Sequence, residues 1–164
     1  MNQKNVTYLS LGSNMGDKKK NIEAAIEYIE VYVGKILQAS NFYSSESWGF
    51  ESDLFLNNAI EVLTKMSPLQ LLNKIKIIEQ KMGSVHNSFF EGYQPRIIDI
   101  DIIYYNDFLY RQKILNIPHL SMHHRKFVLM PLLELCPQKI HPVYNKNVIA
   151  LLKACNDKNK VSIL

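Results

Sequence analysis

Apolar and polar residues alternate along several stretches of the chain, and this pattern predicts β-strands. Two residues per repeat place successive side chains on opposite faces of a sheet, which suits strands with one buried face. The predicted strands cover residues 6–11, 36–45, 54–63 and 97–105, with a possible short strand over 108–114.

Other stretches repeat their apolar residues at helical spacing and predict α-helices. The predicted helices cover residues 17–33, 67–82, 122–135 (interrupted by Pro131) and 148–155. Gly12–Asn14 is expected to cap the first helix, with Gly16 and Asp17 as its start signal. Ser67 and Pro68 are expected to begin the second, which Gly83 ends.

One stripe of the second helix is expected to hold apolar residues together with an acidic one. Its members are Leu69, Leu72, Ile75 and Glu79. Glu79 taken alone is interpreted as a solvated charge. Residues 84–95 show no regular period and predict a mobile loop that closes over a ligand.

Strands and helices mix without a strict strand–helix–strand repeat, which favours an α+β sheet with helices on its faces. The chain has 164 residues, so one domain over 1–164 is expected. Neither Gly-x-Gly-x-x-Gly nor the phosphate-binding loop Gly-x4-Gly-Lys-Ser/Thr occurs.

Composition adds modest constraints. Apolar residues make up 47% of the chain, and the net charge of +4 suits a nucleotide as well as a nucleic acid. No apolar run approaches the roughly 18 residues of a membrane span. Cys136 and Cys155 form no metal-binding pair, so we expect reduced thiols and a cytoplasmic location.

The most informative motif is a pair of acids in a predicted strand. Asp99 and Asp101 are two residues apart and therefore point to the same side, whereas Ile98 and Ile100 face the core. Two carboxylates held together repel each other unless a cation lies between them, so they suit magnesium. Arg96 beside them suits a phosphate chain. Two solvated acids on an edge strand are the alternative.

A basic segment over residues 118–127 follows the acidic pair. His119 and His123 are four residues apart and could bind a metal on one helix face, but no further Cys or Glu completes the set. A phosphate-binding cluster with Arg125 is the stronger interpretation, and a solvated basic helix start is the alternative. Phe55 and Asn57 share one strand face and suit a flat heterocycle with polar edges.

In combination these motifs resemble the 6-hydroxymethyl-7,8-dihydropterin pyrophosphokinase family over nearly the whole chain. The resemblance rests on Leu11–Asp17, Tyr43 to Gly49, Phe55–Ala59, Ile78–Glu79, Met82–Gly83, Pro95–Arg96, Asp99–Asp101, Pro118–His119, Arg125 and Phe127. The most specific part is Pro-Arg-x-x-Asp-x-Asp followed by Pro-His and Arg-x-Phe.

The resemblance implies a ferredoxin-like fold, usually monomeric, and transfer of pyrophosphate from ATP to the hydroxymethyl pterin in folate synthesis. It implies a catalytic set of Arg96, Asp99 and Asp101, in which the two acids bind two magnesium ions. It implies ATP contacts from Lys76, Glu79, Arg96, Ile102, His119 and Arg125. It implies pterin contacts from Ser45, Trp48, Phe55, Asn57 and Phe127.

The chain also departs from the family pattern. Ser84 and His86 occupy positions where the family has arginines that close over ATP, and Ile114 occupies another arginine position.

Two other functions are alternatives for this sequence. A metal-dependent glycosyltransferase with an Asp-x-Asp motif predicts a doubly wound fold. An RNA-binding ferredoxin-like module predicts exposed basic and aromatic residues on the sheet, whereas this strand carries acids.

Overall fold

A computed structural model of the chain describes residues 4–47, 53–84 and 96–164. The strands are β1 (Asn5–Ser13), β2 (Gly34–Ala39), β3 (Tyr43–Ser45), β4 (Phe55–Thr64), β5 (Asp99–Tyr105), β6 (Tyr110–Gln112), β7 (Leu115–Ile117), β8 (Ile140–His141), β9 (Lys146–Asn147) and β10 (Val161–Ile163). The helices are α1 (Lys18–Tyr32), α2 (Pro68–Lys81), α3 (Lys126–Leu135) and α4 (Val148–Ala154), with a 3-10 turn over Met122–His124.

The main sheet is antiparallel, with strand order β10-β3-β4-β1-β5 and with β2 also paired to β4. Helices α1 and α2 cover one face, where Leu9, Ile29 and Ile75 are buried together. Helices α3 and α4 cover part of the other face around Ile103 and Leu132. This is the predicted α+β architecture. The antiparallel pairing excludes the doubly wound sheet that a glycosyltransferase would require.

Helix boundaries follow the predicted capping chemistry. The Asp17 side chain accepts a hydrogen bond from the Lys20 N–H at 3.2 Å and begins α1. Ser67 and Gln70 form a reciprocal capping box at the start of α2. Gly12 and Ser13 belong to β1 instead, so their expected role as a helix cap was wrong.

The predicted strand over 36–45 is interrupted. Ser40 donates its backbone N–H to the Ala59 carbonyl at 2.8 Å, and its Oγ accepts from the Ala59 N–H at 2.9 Å. A serine side chain thus replaces part of the strand ladder here. β2 and β3 consequently pair with different halves of β4.

Two helix expectations also need correction. The region 122–135 contains a 3-10 turn followed by α3, and Pro131 lies buried inside α3 without ending it. Proline removes only one backbone hydrogen bond, and packing of the apolar α3 face outweighs that loss. On α2, Leu69 is 38% exposed, while Glu79 is only 5% exposed.

The predicted short strand over 108–114 is shorter than expected, and β6 pairs with β7 in a separate two-stranded sheet. Cys136 is buried, and both it and Cys155 are free thiols. In the part of the chain that the structure describes, no helix has the length and apolar character needed to cross a membrane.

Candidate active site

Four strands place a row of functional residues side by side on one face of the sheet. In the antiparallel register, Tyr43 lies opposite Asn57, Asn57 opposite Gly12, and Gly12 opposite Asp99. Directly paired residues on neighbouring strands point to the same face. The amide of Asn57 and the carboxylate of Asp99 therefore lie on either side of a residue that has no side chain.

Three members of this row, Gly12, Asn57 and Asp99, line a pocket on this face of the sheet. The pocket is lined by Ser10, Gly12, Ser45, Glu46, Phe55, Asn57, Asp99, Asp101 and Phe127. Both predicted acids line it, as the two-residue repeat required. The two phenylalanines from the predicted set lie in the same lining, although they are far apart in sequence.

Asn57 is held in a defined orientation at the bottom of this pocket. It is 2% exposed, and its Nδ2 donates to the Ser45 Oγ at 2.8 Å. Its Oδ1 would lie 3.3 Å from a Cβ added at Gly12. The glycine therefore leaves just enough room for the amide oxygen.

A second pocket begins at Asp101 and extends towards the β6–β7 hairpin. It is lined by Leu72, Ile100, Asp101, Ile102, Lys113, Ile114, Leu115, Asn116, His119 and Leu120. Asp101 lines both pockets, so a ligand in one lies next to a ligand in the other across this carboxylate. Ile102 and His119, both predicted nucleotide contacts, line the second pocket.

Cationic side chains flank the two acids. Arg96 Nη1 lies 2.6 Å from Asp99 Oδ1, and Arg125 Nη1 lies 3.8 Å from Asp101 Oδ2. Burial raises the pKa of Asp101, the charge of Asp99 raises it further, and the two arginines oppose the rise. A divalent cation between the carboxylates would remove this repulsion.

The His119 side chain lies beside Asp101 and is neutral at physiological pH. Burial, the larger cause, and the nearby Arg125 together lower its pKa to about 4, although the charge of Asp99 opposes them. The Ser121 N–H donates to His119 Nδ1 at 3.2 Å, so the proton of the neutral ring lies on Nε2. That nitrogen faces Asp101 Oδ1 at 3.9 Å and can donate to an anionic ligand.

His119 and His123 do not form a metal site. His119 faces Asp101, whereas His123 Nε2 is 3.1 Å from the Tyr144 hydroxyl. Over the described ranges, no group of three or more His, Cys, Asp or Glu side chains is arranged to hold a metal ion. Any metal here would therefore rely on Asp99 and Asp101 together with ligand oxygens.

Three further predicted residues lie outside the lining of these two pockets. Lys76 is exposed on α2 and lines neither of the two pockets. Glu79 is buried, and its Oε1 accepts a 2.8 Å hydrogen bond from the Ile100 N–H. Burial raises the pKa of Glu79 to about 7.

Ser84, predicted to lie in the closing loop, is buried and bonded to Ile98. Trp48, His86 and 93–95 lie outside the described residues.

The structure adds site residues that sequence reasoning missed. Ser10, Gly12 and Glu46 line the first pocket, and Lys113 and Asn116 line the second. Glycine inside a strand signals close approach of another group, but the predicted first strand ended at residue 11, whereas β1 continues through Gly12. The sequence around Lys113 and Asn116 showed no comparable signal.

An antiparallel α+β sheet that carries paired carboxylates beside an aromatic pocket, with arginines against the acids and a second pocket beginning at Asp101, is typical of an enzyme that acts on an anionic ligand and a flat-ring ligand. The sequence matches the family described as 7,8-dihydro-6-hydroxymethylpterin-pyrophosphokinase (HPPK) over residues 8–137. The chain belongs to this family. Membership confirms the expected pyrophosphoryl transfer to a hydroxymethyl pterin at the level of the family.

Individual relatives of the chain support this family assignment. A 2-amino-4-hydroxy-6-hydroxymethyldihydropteridine pyrophosphokinase from Aquifex aeolicus is 44% identical over 140 residues, which cover 85% of each chain. Folic acid synthesis protein fol1 from Schizosaccharomyces pombe is 40% identical over 139 residues, covering 84% of this chain but only 19% of that protein. The chain thus spans about a fifth of this longer relative.

Solved structures support the fold. A Plasmodium falciparum HPPK-DHPS has a TM-score of 0.76 at 21% sequence identity, and the match covers 94% of this chain and 46% of that one. This likeness confirms the predicted ferredoxin-like α+β fold.

Proposed function

We propose that this chain transfers pyrophosphate from ATP to the hydroxymethyl group of 6-hydroxymethyl-7,8-dihydropterin in a magnesium-dependent reaction of folate synthesis. The observation that carries the proposal is the position of Asp101, which lines both the first pocket, with its two phenylalanines, and the second pocket, with Lys113 and His119. A triphosphate in one pocket can thereby meet a hydroxyl group in the other.

Asp99 and Asp101 are the proposed ligands of two Mg²⁺ ions. Carboxylate oxygens are the hard donors that Mg²⁺ prefers, and this metal is commonly bound through one or two carboxylates plus substrate phosphates. The raised pKa of Asp101 fits this assignment, because the carboxylate pair favours an added positive charge. Bound Mg²⁺ would offset the charge of the triphosphate.

Three side chains are proposed to contact the triphosphate. Arg96 and Arg125 lie against the two acids and can share those contacts with phosphate oxygens. His119 would donate from Nε2 as a neutral ring. Ile102 lines the same pocket and offers an apolar contact to the nucleotide.

The pterin is proposed to lie in the first pocket. Phe55 and Phe127 line this pocket and offer ring faces for stacking on a flat heterocycle. Asn57, oriented by Ser45, presents its amide to the polar edge of the ring. Trp48 is proposed as a further contact.

In the proposed reaction, the substrate hydroxyl oxygen attacks the β-phosphorus of ATP. The bond from that phosphorus to the oxygen bridging the α- and β-phosphates breaks, so AMP leaves with this oxygen and the hydroxyl proton is released. The chain's own contribution is to align the two substrates and to stabilise the developing charge with Arg96 and Arg125.

The test is to incubate the protein with ATP, Mg²⁺ and the hydroxymethyl dihydropterin and to measure AMP. Release of AMP, not ADP, distinguishes pyrophosphoryl from phosphoryl transfer. Asp99→Ala and Asp101→Ala are expected to lower the rate about 100-fold or more. Asp107→Ala is a matched control, because Asp107 follows the same strand but is 92% exposed. Near-normal AMP release by the first two variants would contradict the proposal.

We also propose that the protein acts on these small molecules as a cytoplasmic monomer. Side chains of a single copy line both pockets. Sedimentation equilibrium with and without ATP tests this, and a dimer at assay concentration would contradict it.

A further inference from the structure

The strand that carries the paired acids lies at the edge of the main sheet. Among the residues that the structure describes, β5 pairs only with β1. Backbone groups on the outer side of an edge strand need other partners, since an unpaired buried N–H is costly. The structure provides these partners as side chains from α2 and the turn that follows it.

Ser84 supplies two of these hydrogen bonds. Its Oγ donates to the Ile98 carbonyl at 2.7 Å and accepts from the Ile98 N–H at 3.0 Å. Ser84 is 6% exposed and Ile98 is fully buried, so water does not compete for these groups. One side chain thus satisfies both polar groups of the residue before Asp99.

Glu79 supplies the next contact. Its Oε1 accepts from the Ile100 N–H at 2.8 Å. The backbone is therefore fixed on both sides of Asp99, by a hydroxyl at residue 98 and by a carboxyl oxygen at residue 100. Within the described ranges, these two side chains take the place of a neighbouring strand on the outer side of residues 98–100.

We propose that Ser84 is a positioning residue, which fixes the backbone at Ile98 so that Asp99 points into the pocket in register with Asp101. The inference rests on the proposed metal-binding role of this pair. Without the Ser84 hydroxyl, the Ile98 N–H and carbonyl lose their buried partner, and this end of β5 shifts or frays. Groups behind metal ligands commonly change metal affinity about 10- to 100-fold when they are removed.

The experiment compares Ser84→Ala, Ser84→Thr and wild type. Hydrogen exchange of the Ile98 and Ile100 amides measures how firmly the backbone is held on either side of Asp99. A titration with Mn²⁺ in the presence of α,β-methylene-ATP reports metal affinity without turnover. Ser84→Ala is expected to exchange these amides faster and to bind Mn²⁺ about tenfold more weakly. Ser84→Thr, which keeps the hydroxyl, is expected to restore tighter binding.

Thr64→Val is the matched control. Thr64 is also buried, and its Oγ1 donates to the Val33 carbonyl at 2.8 Å and accepts from the Met66 N–H at 3.1 Å. This variant loses a similar pair of backbone contacts far from Asp99 and is expected to keep wild-type Mn²⁺ affinity.

Equal losses of Mn²⁺ affinity in Ser84→Ala and Thr64→Val would overturn the inference, because general destabilisation would then explain both. Unchanged affinity in Ser84→Ala would overturn it as well, while loss of Mn²⁺ binding in Asp99→Ala would leave the proposed metal site standing. Absence of Mn²⁺ binding by the wild-type protein would overturn both proposals.

Discussion

Asn14 and Arg96 are joined by two hydrogen bonds, although they lie 82 positions apart in the sequence. Asn14 Oδ1 accepts from the Arg96 N–H at 2.8 Å, and the Asn14 N–H donates to the Arg96 carbonyl at 3.3 Å. The end of β1 is thereby tied to the residue that precedes the acidic strand. The Arg96 side chain is held where it meets Asp99.

Replacing Asn14 with alanine should weaken the proposed contact between Arg96 and the triphosphate. We expect the KM for ATP to rise about tenfold, and a loss of about 1 kcal/mol in unfolding free energy because the half-buried Arg96 N–H loses its acceptor. Steady-state kinetics and urea unfolding measure the two effects. Asn21→Ala is the control, since Asn21 bonds Ser13 and Met15 in the same loop. An unchanged KM in Asn14→Ala would contradict this role.

Gly12→Ala should selectively damage the first pocket, which is the proposed pterin site. The added Cβ would lie 3.3 Å from Asn57 Oδ1 and 3.8 Å from Phe55 Cδ1, tighter than ordinary packing for the first contact. The methyl group would displace the amide that faces the pterin edge. We expect the KM for the pterin to rise about tenfold, corresponding to about 1.4 kcal/mol.

Binding of an ATP analogue provides the internal control for Gly12→Ala, because this substitution lies on the aromatic side of Asp101. Isothermal titration with each ligand separates the two affinities. If both affinities fell equally, the added methyl group would be acting on the whole fold and not on the pterin pocket.

Glu79→Gln should change how stability depends on pH. Burial raises the pKa of Glu79 from 4.5 to about 7, so the folded protein retains a proton that the unfolded chain releases. Stability from this group is present below pH 4.5 and is lost as the pH rises through about 7. Glutamine keeps an acceptor for the Ile100 N–H but does not titrate.

We therefore expect the unfolding free energy of Glu79→Gln, relative to wild type, to increase by about 3 kcal/mol between pH 4.5 and pH 8. Urea unfolding at both pH values, in the presence of EDTA, measures this difference. Glu27→Gln controls for the loss of an acidic side chain at a solvated position of α1. A constant difference between Glu79→Gln and wild type would contradict burial of a titrating carboxyl group.

Local patterns were sufficient for the parts of the site that depend on one strand or one helix end. The two-residue repeat alone placed Asp99 and Asp101 on one side, and capping chemistry located Ser67 at the start of α2. The mixture of patterns also predicted the α+β class. These features depend on neighbours in sequence, which a single chain displays directly.

Other features, which depend on how distant segments pair, were missed. Gly12 matters because β1 and β4 pair in a register that sets it opposite Asn57. Glu79 is buried because β5 is an edge strand whose outer N–H groups need acceptors. A local sequence pattern shows neither the register of two strands nor the position of a strand at a sheet edge. The pattern around Glu79 therefore predicts a solvated charge, although the residue is buried.

Gly34→Ala should destabilise the fold without altering the site directly. An added Cβ would lie 2.2 Å from the Leu63 carbonyl oxygen and 3.0 Å from the Thr64 Cα. Both atoms belong to the backbone of β4, so relief would require β2 to move away from its partner strand. We expect a loss of about 3 kcal/mol in unfolding free energy, the upper range for an overpacked position.

Lys35→Ala is the control for Gly34→Ala, because Lys35 is the next residue of β2 and is exposed. A surface substitution of this kind should change stability by no more than about 0.5 kcal/mol. Urea unfolding distinguishes the two variants, and kcat measured well below the unfolding transition should stay near wild type in both. A Gly34→Ala protein as stable as Lys35→Ala would show that β2 does not approach β4 as closely as the 2.2 Å contact requires.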